Sequence, residues 1–190
     1  MNKAILKNTM DLCQDIARII KREICDSEET YLSFLQRLEE GNLTRDENVS
    51  THFGTFFLPF NPKTRQLFLV HHKKSGLWIA PGGHIDKGEI LWQTLNREIS
   101  EELGVKEYFQ SSPNPFLLTI TEVNNNVQPC KAHYDVWYLM ATDGGNFNVD
   151  LAEFHDTKWL SLDEAKKIVT APTNITALNF LDDCLKQGKL

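Results

Sequence analysis

The 190-residue chain is short of the features that would set it apart from an ordinary globular protein. It has four cysteines, Cys13, Cys25, Cys130 and Cys184, and none stands in a C-x-x-C pair. Their spacing outlines no zinc ligand set, and a reduced, cytoplasmic compartment is the expectation. No run reaches the roughly 18 apolar residues that a membrane span needs, so no membrane partner is expected. The first 23 residues interrupt their apolar positions with Asp11, Gln14, Asp15 and Arg18, which is not a signal-peptide core. Positive charge is scarce: the formal net charge is −6, which argues against a general DNA or RNA binder. There is no internal repeat and no low-complexity segment.

What is present suits a packed domain. The chain is 41% hydrophobic and 24% charged, and it is long enough to bury a sizeable core. Residues 3–24 place Leu6, Met10, Cys13, Ile16 or Ala17, Ile20 and Ile24 at helical spacing, with one buried face. Ser27 caps a second predicted helix with a stripe of Tyr31, Phe34 or Leu35, and Leu38, stopped at Gly41-Asn42. Residues 1–48 thus form a helical extension without a motif of its own. From Thr51 the texture changes. HFGTFFLPF and QLFLVHH read as two strands of a hairpin around Asn61-Pro62-Lys63-Thr64. LWIA is a short strand, and residues 89–104 are helical. Phe116–Val123, His133–Thr142 and Thr157–Ser161 are strands, the first two joined by a polar loop at NNNVQPC. Alternation along the second of these sends Tyr134 and Tyr138 to one face and Trp137 to the other. Ser161 and Glu164 form a capping box for a helix near 162–169, Pro172 breaks it, and Thr173 caps a last helix with Ala177 or Leu178, Leu181 and Leu185 inward. Strands interleaved with helices imply an α/β sandwich.

The stretch from Gly83 to Val105, GHIDKGEILWQTLNREISEELGV, carries the chemistry. At about 100° per residue, Glu102 falls near +40° and Glu101 near −60° of Glu98, so three carboxylates share roughly a third of the helix circumference. Trp92, Leu95, Ile99 and Leu103 form the adjoining apolar stripe. The acids therefore sit where the helix leaves the core. Clustered carboxylates repel one another unless a cation joins them, and oxygen ligands favour magnesium or manganese. Arg97 is placed to pair with an acid such as Glu89. Gly82 and Gly83 permit a tight turn that brings a backbone carbonyl near the ion.

An isolated E-x-x-E-E on a helix is most often a solvated face. Here Gly83, Glu89, Arg97, Glu98, Ile99, Glu101, Glu102, Gly104 and Val105 fill every fixed position of the Nudix box, G-x5-E-x7-R-E-U-x-E-E-x-G-U with U aliphatic. The chain resembles the Nudix hydrolase superfamily from Thr51 to about Ile168. That resemblance implies an α/β/α sandwich on a mixed sheet, preceded here by the extension, with residues 49–190 as the catalytic domain including its C-terminal helix. It implies hydrolysis of a phosphoanhydride bond in a nucleoside diphosphate derivative, with magnesium or manganese held by Glu98, Glu101 and Glu102, aided by the Gly82 carbonyl and by Glu89, which alternatively orients Arg97. Glu98, Glu102 and Arg97 are the box's catalytic candidates. A loop acid serves some members as general base; Glu153 is the candidate here, with Asp156 as the alternative. Metal loading would also let an acidic protein accept an anionic substrate.

Substrate contacts are sought at Trp78, before the Pro-Gly-Gly turn, and at His84, after it. Signatures of family subgroups are missing. FLLTITEV lacks the proline of the ADP-ribose type, LVHHKKSG does not match the coenzyme A element, and no suitably placed tyrosine marks the diadenosine-polyphosphate type. A nucleoside di- or triphosphatase remains by subtraction. ADP-ribose, nucleotide sugars, dinucleoside polyphosphates, an RNA 5′ end and a nucleotide-sensing role stand as alternatives. The partner expected is a small nucleotide. The extension must bury its stripes on the sandwich, over the cleft or in a homodimer; packing on the substrate side of the catalytic domain is the expectation.

Overall fold

A computed structural model describes residues 11–123 and 129–188. Leu6, Met10 and most of the NNNVQPC loop lie outside the described residues.

The extension forms two helices, α1 (Leu12–Ile19) and α2 (Glu28–Glu39), with a 3-10 turn at Arg22–Ile24 between them. Helix α1 stops short of the predicted end because the backbone is extended at Ile20. Its start is a reciprocal cap: Asp11 accepts from the Gln14 N–H at 2.8 Å while the Gln14 side chain accepts from the Asp11 N–H. The buried face is Asp15, Ile16 and Ile19. Cys13, expected on that face, is exposed. At about 100° per residue it lies roughly a third of a turn from the face's centre. Ser27 caps α2 as predicted, accepting from the Thr30 N–H at 3.0 Å. Phe34 is fully buried, edge-on to Phe53 and Tyr134. Arg37 is buried too, and its guanidinium donates to the carbonyls of Gly41, Asn42 and Thr51, each at 2.7 Å. It ties the turn after α2 to the first strand by satisfying backbone carbonyls of both.

The sheet is built on β1 (Thr51–Asn61). One edge of β1 runs parallel to β6 (Ala132–Ala141) from Thr51↔Ala132 to Phe60↔Ala141. The other edge is shared by β4 (Gly82–His84), opposite Gly54–Phe56, and by β2 (Gln66–His72) beside the turn. Strand β2 also pairs β3 (Trp78–Ile79) and β7 (Phe154–Ser161), and β5 (Leu117–Glu122) pairs β6. The sheet is therefore mixed. Helices α1, α2 and α3 (Leu91–Leu103) cover one face around Ile16, Phe34, Phe53, Phe57, Leu95 and Ile99. Helices α4 (Leu162–Ile168) and α5 (Pro172–Lys186) cover the other around Leu58, Trp137, Ala165, Leu178 and Leu181. This is the expected α/β/α sandwich. Both faces are core, which explains why HFGTFFLPF is apolar without alternation. Tyr134 and Tyr138 join one core and Trp137 the other, as the strand period requires.

Further boundaries differ from the sequence reading. Strand β7 begins at Phe154, so Asp156 lies inside it. Pro172 opens α5 rather than merely ending α4. Proline costs nothing at a first helical position, where its missing N–H would be unpaired anyway. Thr173 is then within the helix, and its hydroxyl lies 2.8 Å from that of Thr121. Among the described residues no helix is long and apolar enough to cross a membrane.

Candidate active site

Helix α3 is anchored at both ends. Its first N–H, on Leu91, donates to Asp15 Oδ2 at 3.0 Å, so a buried acid from the extension caps the helix. Gly104 closes it in the left-handed conformation, φ 70°, with its N–H on the Ser100 carbonyl. Leu91, Leu95, Ile99 and Leu103 are fully buried, which rolls Glu98 and Glu102 to the rim of the core. Glu102 is only 4% exposed, and its Oε2 has no partner among the described residues. Glu101 faces solvent.

Arg97 organises the acids. Its Nε and Nη2 donate to the two oxygens of Glu89 at 2.9 and 3.1 Å. Nη1 donates to Glu98 Oε1 at 2.8 Å and Glu101 Oε2 at 3.1 Å, and Nη2 also reaches the His84 carbonyl at 2.9 Å. Thr94 Oγ1 donates to Glu89 as well. Glu89 thus grips Arg97 with both oxygens, and Arg97 holds Glu98 and Glu101 by one nitrogen. Strand β4 comes in beneath. Any side chain on Gly83 would collide with the Glu98 carboxylate. Gly82 has φ 143° and backs onto the Thr55 carbonyl and Phe56 Cα, so no larger residue fits there.

The electrostatics follow from burial. Loss of solvent pushes the Glu98 carboxyl up to about 7, although the Arg97 charge and hydrogen bond oppose it. Burial also raises Glu102 well above the ordinary carboxylate range, and Glu98 and Glu153 add like charge. Glu153 acts on both acids because its loop is pinned to the end of α3. Asn148 N–H donates to the Leu103 carbonyl, Asp150 N–H to that of Glu102, and Lys73 N–H to that of Glu153. The Lys73 ammonium reaches the carbonyls of Leu151 and Ala152. Asp156 instead sits opposite His71 on β7, with Lys158 at 3.7 Å.

A cleft of about 430 Å³ opens over Arg97 and Glu98. His84 and Asp86 form one wall; Arg45, Asp46 and Val49 form another, so the end of the extension does border the site. Trp78 is not among the lining residues. Its ring stacks on His71, 5.1 Å between centroids, with the Lys158 ammonium 4.6 Å from its centre. His84 lies among histidines that the sequence reading did not single out. Its Nε2 is 3.4 Å from His133 Nε2, and the His52 ring centre is 4.7 Å away. Burial holds all three imidazoles below their ordinary value, His84 at about 3 and His133 at about 4. Asp15, His52 and His133 carried no local signal, because strand register and helix packing bring them into place. Among the described residues, the group of three metal-competent side chains with mutually close ligand atoms is this one.

A NUDIX domain family model matches residues 50–183. Nudix hydrolase 6 of Arabidopsis thaliana is 25% identical over 145 residues, 73% of this chain and 49% of that protein. A NAD-capped RNA hydrolase NudC from Photobacterium profundum is 28% identical over 129 residues, 65% of this chain and 42% of that protein. The chain thus spans about half the length of the curated relatives it matches. Among solved structures, a MutT NUDIX hydrolase from Burkholderia pseudomallei superposes with a TM-score of 0.57 at 21% identity, covering 68% of this chain and 97% of that one.

Proposed function

The chain belongs to the NUDIX domain family, and we propose that it hydrolyses a phosphoanhydride bond in a nucleoside di- or triphosphate, or a related nucleoside diphosphate derivative, with magnesium or manganese bound at α3. The observation that carries this reading is Glu102: a carboxylate almost fully buried, beside Glu98, with an oxygen left without a partner. A hard cation fits such an oxygen-only donor set. Glu98, Glu101 and Glu102 would hold it, with the Gly82 carbonyl alongside. Once bound, the cation supplies phosphate charge neutralisation and a more acidic water.

The chain's own groups do the rest. Glu89 fixes Arg97 through a two-bond grip, and Arg97 sets the rotamer of Glu98. Glu89 is thereby assigned to orientation. Glu153, carried to the acids by the 148–153 loop, takes the proton from the attacking water. His84, neutral at the cleft wall, offers the substrate a hydrogen bond rather than a charge. Trp78, whose ring stacks on His71 with the Lys158 ammonium near its centre, is kept as the other candidate substrate contact. Residues 1–48 serve as a supporting extension of a catalytic unit at 49–190.

The test is a screen of nucleoside polyphosphates, nucleotide sugars, dinucleotides including NAD, and 5′-triphosphorylated RNA, with magnesium and products identified by mass. The NAD-capped RNA hydrolases among the relatives justify the last two arms. Turnover that stops in chelator and returns with magnesium or manganese is expected. Full turnover in excess EDTA would sink the reading.

A further inference from the structure

We propose that His52, His84 and His133 form a second metal site, for a divalent transition ion of the zinc type, distinct from the carboxylates of α3. The site is made by strand register. His52 and His133 are direct neighbours on the parallel pair β1 and β6. His84 stands on β4 opposite Gly54, two residues from His52 and on the same face of β1. Gly54 places no side chain between them.

Three observations point to a cation. One ring nitrogen from each histidine lies within 4.8 Å of the other two. The 3.4 Å between His84 Nε2 and His133 Nε2 matches the separation of two nitrogens bound about 2.0–2.1 Å from a tetrahedral ion. His52 is 1% exposed, its Nδ1 lies 3.1 Å from the Asn48 carbonyl, and its Nε2 has no partner. A carbonyl only accepts, so Nδ1 carries the proton and Nε2 presents a lone pair to the other two rings. A backbone carbonyl behind the non-ligating nitrogen is the support that metal-binding histidines receive. Without an ion, the His84–His133 contact can use one proton at most, and the His52 lone pair is wasted. Imidazole donors select zinc, copper or nickel over magnesium, whereas the α3 acids select the reverse. Three protein ligands leave a fourth position open, and His84 sets the site beside the cleft.

The experiment uses the full chain, stripped of metal and then given zinc in the presence of excess magnesium. Bound zinc is counted after gel filtration, and affinity is read by calorimetry. One zinc per chain is expected, retained by Glu102→Gln and weakened in His133→Ala by more than the roughly 10- to 100-fold that even an outer partner of a metal ligand is worth. No retained zinc in the wild type, equal retention in His133→Ala, or loss in Glu102→Gln would each overturn the proposal. Should His133→Ala fail to fold, cobalt in the wild-type protein decides. Visible bands of a four- or five-coordinate nitrogen-ligated ion support the site, and their absence refutes it.

Discussion

The acids of α3 and the histidines of the sheet meet at the same three residues of β4, yet burial drives them in opposite directions. Desolvation disfavours charge in both places. It therefore raises the proton affinity of Glu98 and Glu102 and lowers that of His52, His84 and His133. On the proposed reading the acids release protons when a cation binds, and Arg97 already occupies part of the oxygen surface of Glu98 and Glu101. The histidines present lone pairs without any such step. One cluster is thus gated by pH and by an internal cation. The other is held ready by register and by one carbonyl. The extension reaches each with a hydrogen bond, from Asp15 to the first N–H of α3 and from the Asn48 carbonyl to His52.

The harshest way to break this pairing is a chain beginning at Asn48. It removes the α3 cap together with Ile16, Ile19, Phe34 and Leu43, buried at roughly 1.5–3 kcal/mol each. Aggregation or a large fall in melting temperature is expected; a soluble truncation with unchanged melting and kinetics would show that the extension is independent. Next in size is Glu102→Gln, which should lower kcat by roughly 10²–10⁴ while the fold survives. Glu98→Gln should behave similarly. Near-normal turnover in the folded variants would remove these acids from the mechanism. Gly83→Ala adds a methyl group where the Glu98 carboxylate lies. Displacement of about 1 Å at a reacting group can cost on the order of 10²-fold, and a fall of that order in kcat with an unchanged circular dichroism spectrum is expected.

Smaller effects sharpen the comparison. Asp15→Ala leaves the Leu91 N–H without its acceptor and should cost about 1–2 kcal/mol, read as a melting shift of several degrees. An unshifted melt would mean that the cap does not support α3. The mildest test is pH, in chelator. A carboxyl whose folded value is raised favours the folded state fully below the unfolded value and loses that contribution as pH rises. For Glu98 the loss runs from about 4.5 to about 7. For Glu102 it starts at the same point and runs well above the ordinary carboxylate range. Glu102→Gln should therefore melt progressively higher than the wild type as pH rises above 4.5, and saturating magnesium should reverse the order. A constant difference from pH 5 to 8 would show that Glu102 is not desolvated as described.

How legible each cluster is follows from how it is built. The acids occupy consecutive turns of one helix, so spacing alone places Glu98, Glu101 and Glu102 on one arc, Arg97 beside Glu89, and Gly104 at the stop. The Ser161–Glu164 box and the Ser27 cap are equally local and equally readable. The histidines are far apart in sequence and depend on pairings among β1, β4 and β6, which no local pattern encodes. Asp15 and Arg37 escaped for a related reason. Charged side chains on amphipathic helices ordinarily face water, and only tertiary packing reveals that one caps α3 and the other closes α2 onto β1. The outward turn of Glu101 also depends on the Arg97 rotamer, which spacing does not specify.

The long parallel ladder between β1 and β6 has a consequence for assembly. Thr51 finds its partner only at Ala132, so this pairing closes one of the larger loops in the chain and pays its entropy late. Helix α3 lies inside that loop and forms from local contacts. During synthesis its glutamates are therefore made, and are still solvated, before the strand that completes the sheet behind them exists. His133 lies on that later strand, so the three histidines come together only when the ladder closes. The order of the chain therefore puts the helix that carries the acids ahead of the strand that completes the histidine group.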